Sequence, residues 1–386
     1  MLQRSGSMAL VLERIRIENY KCLVDFDLWL KDTTLLLGAN GAGKTAVLDV
    51  IYGLRTLLAG ESKIADPVTF PSSTLTRWQT HQHQEFRIQA RVGGESFSYL
   101  LRVEHAADIE ASRVATERLV GEDGTVLFDC EMGEVRLFRD DGSAGPVFKT
   151  DWGESALARV VPQSANRRLT SFLNAIRNIV ICTIRPHEIR STSSRGMRLL
   201  GRFAENFVGW YRNAVLENPG LALSHVEALR LVMDGFDDLR LRQVGAETRE
   251  LVLRFVHPSG SRDGDGRYEL RIDEVSDGQR ALVVLYGLLH LGHSGEGVWL
   301  FLDEPDNYVA LPEIQPWLMA LVELCEETPS QAVLCSHHPE LIDYLGPNTG
   351  QVLRRNASGA ATAQPVGKLT TGGLKLSELV ARGWDS

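Results

Sequence analysis

From Leu10 onward apolar and polar residues alternate, with Leu12, Ile15 and Ile17 standing among Glu13, Arg14 and Arg16. That is the period of a half-buried strand. A second strand-like run passes through Leu23, Val24, Phe26, Leu28 and Leu30. The run Thr33–Leu37 then predicts a short buried strand that ends in a Gly-rich turn, residues 38–43. Beyond the turn, Val47, Leu48, Ile51, Leu54 and Leu58 fall at helical spacing until Gly60 stops them. Between Glu85 and Arg139 the period returns to two. Phe86, Ile88, Ala90 and Val92 alternate, Gly93 and Gly94 turn the chain, and Phe97, Tyr99, Leu101 and Val103 alternate back. Further strands are expected at 117–120, 126–130 and 135–138, making an antiparallel β lobe. Helices are expected from about Ser155 to Met233, with Leu169, Phe172, Leu173 and Ile176 on one apolar face and Leu199, Leu200, Phe203, Phe207 and Trp210 on another. Neither is regular enough for a coiled coil. Strands return between Leu239 and Ile272, around a flexible loop, Ser259–Gly266, that lacks the ligand pattern of a calcium loop. The last third alternates again, with strands at 298–302 and 332–336 and helices at 311–324 and 339–344, the order of a parallel sheet with flanking helices.

The chain has 386 residues, 44% hydrophobic and 24% charged, with a formal charge of −9. The acidic balance argues against a broadly basic nucleic-acid surface, although a local basic groove fits inside it. Five scattered cysteines, with no CxxC pair and no zinc spacing, predict small apolar packing groups in a reducing compartment. No signal-like start and no run of ~18 apolar residues occurs. The expectation is a cytoplasmic protein without a membrane partner.

Chemistry concentrates in a few places. Gly38-Ala39-Asn40-Gly41-Ala42-Gly43-Lys44-Thr45 fits G-x-x-x-x-G-K-[ST] throughout. Glycines let consecutive backbone N–H groups converge on phosphate oxygens, and the helix after them adds its positive end. Lys44 would neutralise the β/γ-phosphates of ATP and Thr45 would ligate Mg²⁺. Val298–Leu302 is an apolar run closed by Asp303 and Glu304, which places both carboxylates at the carboxyl end of a buried strand. Asp303 is then a second Mg²⁺ ligand, and Glu304 the base for the water that attacks the γ-phosphate.

Ser276-Asp277-Gly278-Gln279-Arg280 opens a helix before that strand and resembles the ABC signature Leu-Ser-Gly-Gly-Gln, with Val275 for Leu and Asp277 for the first Gly. A Ser and a Gly at a helix N-terminus make an anion site. The plain alternative is an ordinary Ser cap. Asp306, in Pro305-Asp306-Asn307, stands where the ABC D-loop stands. In Cys335-Ser336-His337-His338-Pro339 the resemblance puts the switch histidine at His337. Together with Asn19-Tyr20-Lys21-Cys22, where Tyr20 or Lys21 would touch nucleotide, these motifs resemble the ABC-type ATPases of the RecF, SMC and OLD group. The branch they are most similar to is the compact bacterial one built on an AAA-type core domain without a nuclease.

The resemblance implies an α/β P-loop NTPase of ABC ATPase-head type with an antiparallel β lobe and a helical insertion. Residues 1–84 and 238–386 would form the core, 85–150 the lobe and 151–237 the insertion. It implies that ATP and Mg²⁺ are held between two copies packed head to tail. Gly38, Asn40, Gly41, Ala42, Gly43, Lys44 and Thr45 would act from one copy, and Ser276, Gly278, Gln279 and Asp306 from signature and D-loop, with Glu304 and His337 catalytic. A glutamine loop is expected at Gln82 or Gln84, with the choice left open. The neighbouring His81 and His83 are read as a polar strand entry rather than a metal site. The expected role is control of a separate effector in anti-phage defence. The alternatives are a RecF-like DNA repair ATPase, for which the Arg-rich stretch 185–195 speaks, a nucleotide-gated scaffold without turnover, and higher assemblies. A transporter subunit is disfavoured by the long separation of Thr45 from Ser276.

Overall fold

The computed structural model describes residues 10–106, 111–257, 266–291, 297–368 and 375–382. Its contacts divide the chain into two compact units, residues 1–179 with 329–386, and residues 180–328.

The first unit begins with β1 (Leu10–Glu18), β2 (Phe26–Trp29), β3 (Thr33–Leu37) and α1 (Lys44–Leu58). The strand expected at 23–30 is shorter because Asn19, Lys21 and Asp25 all take left-handed backbone angles and turn the chain before Phe26. Next come β4 (His83–Val92), β5 (Glu95–Ala106), β6 (Ala111–Gly121), β7 (Val126–Glu131), β8 (Glu134–Phe138), β9 (Ala144–Lys149) and α2 (Arg167–Arg177). One eight-stranded sheet runs β2-β1-β4-β5-β6-β7-β8-β9. The expected lobe is therefore continuous with the first strands, because β1 pairs antiparallel with β4 from Leu10↔Val92 to Glu18↔Glu85. Its buried face holds Tyr99, Phe86, Phe128 and Ile15, against which α2 packs Phe172. A buried carboxylate, Glu117, accepts from Tyr99 Oη at 2.9 Å and from the Leu157 backbone N–H at 3.2 Å, which ties the segment after the sheet to β6. Burial holds its pKa above the ordinary carboxylate value.

The second unit takes in part of the insertion expected at 151–237 and part of the core expected at 238–386. It contains β10 (Val180–Cys182), β11 (Thr192–Ser193), α3 (Phe207–Glu217), α4 (Pro219–Val232), β12 (Phe236–Gln243), β13 (Arg249–Val256), β14 (Arg267–Arg271), α5 (Asp277–Leu291), β15 (Trp299–Asp303) and α6 (Leu311–Glu327). β11, β12 and β14 all pair with β13. β10 runs parallel to β15, with Cys182 beside Leu302. An apolar run of this length, inside a helical stretch, has no period of its own and becomes a strand through its neighbour. The Ser259–Gly266 loop lies, apart from Gly266, outside the described residues.

The first unit closes with β16 (Gln331–Cys335), α7 (Pro339–Thr349), β17 (Gly350–Arg355), β18 (Ala361–Pro365) and α8 (Leu376–Ala381). β3 lies between β16 and β17, parallel to both, and β18 continues antiparallel to β17. Buried Gln331 joins the two sheets of this unit. Its amide donates to the Leu12 and Lys31 carbonyls, and its oxygen accepts from the Leu12 N–H. All five cysteines are buried and unpaired with one another.

Candidate functional site

In the first unit, β3 is buried along its whole length and delivers the chain into the Gly-rich turn. Gly38, Gly41 and Gly43 have φ of 146°, 79° and 113°. A Cβ on Gly38 would lie 2.3 Å from the Leu353 carbonyl of β17, so the backbone approach itself requires glycine there. α1 starts at Lys44, and its N-cap Gly43 offers no side-chain cap, as at the anion-binding helix starts. Asn40, Gly41 and Thr45 are exposed, while Ala42 is buried. Lys44 is only 7% exposed and folds back. Its Nζ donates to the Gly38 carbonyl at 2.7 Å and lies 2.9 Å from His337 Nε2. An ammonium only donates, so this nitrogen of His337 accepts and the imidazole carries its proton elsewhere. The two adjacent histidines are divided by geometry. His338 Nδ1 caps α7 by accepting from the Glu340 N–H, and His337 faces Lys44.

Beside the loop lies a cavity of about 430 Å³, bordered by Lys21, Thr45, Asp49, Trp78 and Arg355. Lys21 pairs with Asp49 at 2.8 Å. Arg355 Nε donates to the Gly41 carbonyl at 2.9 Å, and its guanidinium lies 6.0 Å from the Trp78 ring centre. Tyr20 is instead buried against Phe70 and Phe86. Of the two neighbours, only Lys21 borders this space. Asn19 holds the approach in place, donating to the carbonyls of His81 and His83 and accepting from the Thr76 N–H. Gln84 is buried in the same network, donating to the Asn19 carbonyl and lying 3.1 Å from His105 Nε2. Gln82 is exposed, and its amide reaches the Thr80 carbonyl at 3.5 Å. His81 and His83 stack 4.7 Å apart, with His81 against Glu18.

In the second unit, β15 ends in Asp303, 7% exposed. Glu304 follows at φ 50°, a strained angle for a residue with a side chain, and its Oε2 accepts from Asn307 Nδ2 at 2.6 Å. Asp306 Oδ1 is buried with no hydrogen-bond partner among the described residues. Ser276 and Gln279 form a reciprocal capping box at the start of α5. The Gln279 N–H donates to Ser276 Oγ, and the Ser276 N–H donates to Gln279 Oε1. The plain cap reading of Ser276 is therefore correct as far as it goes. It leaves Gly278 at the helix start, where a Cβ would lie 2.7 Å from the Tyr308 carbonyl. Arg280 braces this turn by donating to the carbonyls of Asp273 and Val275.

The sequence motifs gave no signal for Arg202, whose Nη2 lies 3.8 Å from Asp303 Oδ2, nor for Trp78 and Arg355. Arginines without a motif are legible only once the fold brings them together. Thr45 and Asp303 are hard oxygen donors of the kind Mg²⁺ takes. In the first unit, the glycine turn, whose Gly38 admits no Cβ beside the Leu353 carbonyl, and the exposed Thr45 next to it fit the phosphates of a magnesium nucleotide.

Comparison with known proteins agrees with this chemistry. Residues 33–343 match a family described as "AAA domain, putative AbiEii toxin, Type IV TA system". The chain belongs to this AAA-domain family. Its fold is that of SMC head domains. A solved SMC head bound to the C-terminal winged-helix domain of ScpA superimposes with a TM-score of 0.52 at 14% identity, covering 92% of this chain and 98% of that one. An SMC head from Pyrococcus furiosus with an extended coiled coil, bound to the C-terminal domain of ScpA, gives 0.50 at 12% identity, covering 97% and 98%. The OLD nuclease of Thermus scotoductus is 46% identical over 41 residues, 11% of this chain. The AAA-domain chain thus spans only 8% of that nuclease's length. Among the described residues no helix is long and apolar enough to cross a membrane, and no group of three or more His, Cys, Asp or Glu side chains is placed to hold a metal ion.

Proposed function

We propose that the chain hydrolyses ATP, held by Lys44 and Thr45 of the phosphate loop with Asp303 and Glu304 of the same chain, and by Ser276 and Gly278 of a second copy. The observation that carries this reading is the phosphate loop itself, with three glycines in positive φ, no side-chain cap at the start of α1 and Lys44 turned inward. Mg²⁺, when bound, supplies charge neutralisation across the β- and γ-phosphates. Thr45 and Asp303 are the residues that would hold it. Glu304 takes the proton of the attacking water, and Asn307 orients its carboxylate. His337 exchanges Lys44 for the γ-phosphate and registers its loss. A second copy supplies the signature because each chain carries one phosphate loop and one Ser276–Gly278 turn with Ser276 exposed.

Closure of the pair controls a separate effector in anti-phage defence. Supporting this are the toxin–antitoxin wording of the family description and the short match to an OLD nuclease. The deciding experiment is light scattering on Glu304→Gln with and without Mg-ATP. The mass doubles with nucleotide, and Ser276→Arg abolishes the change. An unchanged mass removes the shared-site mechanism.

One observation favours a nucleic-acid transaction as a second reading. Within the 180–328 unit, Arg190 and Arg195 line a cavity of about 640 Å³ together with Ser193, Ser194 and Thr248. ATP-dependent duplex binding that weakens steeply with salt supports it.

A further inference from the structure

Asp303 is a carboxylate almost wholly out of water, where an isolated charge is strongly unfavourable. One group that meets it is Arg202, which no motif contains. Their side chains are 9% and 10% exposed, and Nη2 lies 3.8 Å from Oδ2. That separation neutralises charge but is too long for a direct hydrogen bond.

Arg202 does not reach Asp303 by chance. Its segment runs beside the end of β10, where the Thr183 N–H donates to the Arg202 carbonyl at 2.8 Å and the Arg185 N–H donates to the Phe203 carbonyl at 3.3 Å. The Arg185 guanidinium covers the Phe203 ring at 3.6 Å. Asn206 ties the turn from the other side, accepting from the Gly201 N–H at 2.8 Å and donating to the Leu199 carbonyl at 3.0 Å. Ala204, fully buried, is held at φ 59°. Since β10 pairs with β15 so that Cys182 sits beside Leu302, this clamp sets Arg202 against the next residue of β15.

We infer that Arg202 is a resting counter-ion of Asp303, a positioning residue set against the carboxylate, and that a divalent cation must compete with it. This rests on the reading of Asp303 as a Mg²⁺ ligand. A cation arriving at the carboxylate meets a positive charge already in place, so Arg202 weakens Mg²⁺ binding at Asp303. In exchange, the buried acid is compensated when no cation is present.

The test uses the full chain and the variants Arg202→Met, Arg202→Lys, Asp303→Asn and Arg202→Met with Asp303→Asn. The first readout is thermal unfolding without nucleotide, in EDTA or in excess Mg²⁺ alone. The wild type and Arg202→Lys unfold at nearly the same temperature in both. Arg202→Met unfolds several degrees lower in EDTA and is restored by Mg²⁺, and the double variant shows no Mg²⁺ response. The second readout is the Mg²⁺ dependence of binding a fluorescent ATP analogue. In Arg202→Met the half-saturating Mg²⁺ concentration falls on the order of tenfold, which corresponds to ~1.4 kcal/mol of relieved competition. An Arg202→Met defect that is equal in EDTA and Mg²⁺, or a Mg²⁺ rescue that persists in the double variant, overturns the counter-ion role. If Asp303→Asn leaves the Mg²⁺ dependence of nucleotide binding intact, the ligand assignment falls first and the inference with it. If Asp303→Asn abolishes that dependence while Arg202→Met does not shift it, the assignment stands and the inference alone fails.

Discussion

The α-carbon of Gly278, at the start of α5, lies so close to the carbonyl of Tyr308 that a β-carbon would meet that oxygen at 2.7 Å. The helix start that resembles the ABC signature and the turn that resembles the D-loop are thus in backbone contact within the 180–328 unit. Tyr308 reaches this position at φ 71°, in the left-handed region. A disturbance at either turn is felt by the other.

Gly278→Ala therefore forces the two turns apart. The expected cost is ~1–3 kcal/mol of stability, typical of overpacking. ATP turnover falls while analogue binding at the phosphate loop is retained, since Gly278 is distant in sequence from that loop and belongs to the other unit. Calorimetry and a binding titration on one preparation check both halves. Binding lost together with turnover would remove the coupling argument.

The bond from Asn307 Nδ2 to Glu304 Oε2, 2.6 Å long, fixes the direction of the carboxylate read as the general base. Asn307→Ala lowers kcat roughly tenfold with KM unchanged, while Glu304→Gln lowers it by about 10²–10⁴, the range for loss of a general base. Steady-state rates separate the two. An Asn307→Ala enzyme faster than wild type would mean that the bond restrains Glu304 instead of aiming it.

Arg355 braces the phosphate loop through the Gly41 carbonyl and approaches the Trp78 ring. Its removal takes away a charge-assisted hydrogen bond at an exposed position, so nucleotide affinity weakens roughly tenfold. Trp78→Ala weakens it further for purine than for pyrimidine triphosphates. Competition titrations with several triphosphates read this directly, and equal losses for all bases would exclude stacking on Trp78.

Acid loosens the fold through two buried histidines. Burial holds His105 down to about 4 and His225 down to about 3, the latter helped by the charge of His290. Both are neutral in the folded chain, whereas the unfolded chain takes up protons from about pH 6.5. Their contribution is complete above that pH and is lost as pH falls through the two folded values. His225 Nε2 donates to the Val283 carbonyl of α5 at 3.0 Å. An added proton therefore goes to the buried Nδ1, which has no hydrogen-bond partner among the described residues, and the buried charge strains the packing of α4 on α5. Urea midpoints measured from about pH 7 to about pH 4 should fall, with a shallower slope in His225→Phe. An unchanged slope would mean that His225 is not neutral in the fold.

Much of this was legible in the residues. The apolar run of β3, the glycines after it and the helical spacing of α1 agree at every level, and the structure places both elements at the expected residues. The hairpin of β4 and β5 is equally plain because alternation and a Gly-Gly turn coincide. What escaped the sequence depends on neighbours. β10 has no period of its own, β9 is an exposed edge strand, and β17 and β18 were hidden among Gly- and Ala-rich turns. Motifs placed Lys44, Asp303 and His337, but Arg202 and Trp78 acquire meaning only from what the fold sets beside them. Gln82 and Gln84 look alike in the sequence, and only the structure separates their surroundings, with Gln84 buried against Asn19 and His105 and Gln82 exposed.

The inward pose of Lys44 has a consequence for selectivity. Its ammonium already holds a carbonyl and an imidazole, so an incoming anion does not fall into a vacant positive well but must trade places with two good acceptors. On the proposed nucleotide reading, free orthophosphate is expected to lose that exchange. A chain of phosphates that also engages the start of α1, which has no side-chain cap, offers enough. The resting loop is in this sense a threshold, one that lets common small anions pass by and answers to the polyphosphate tail.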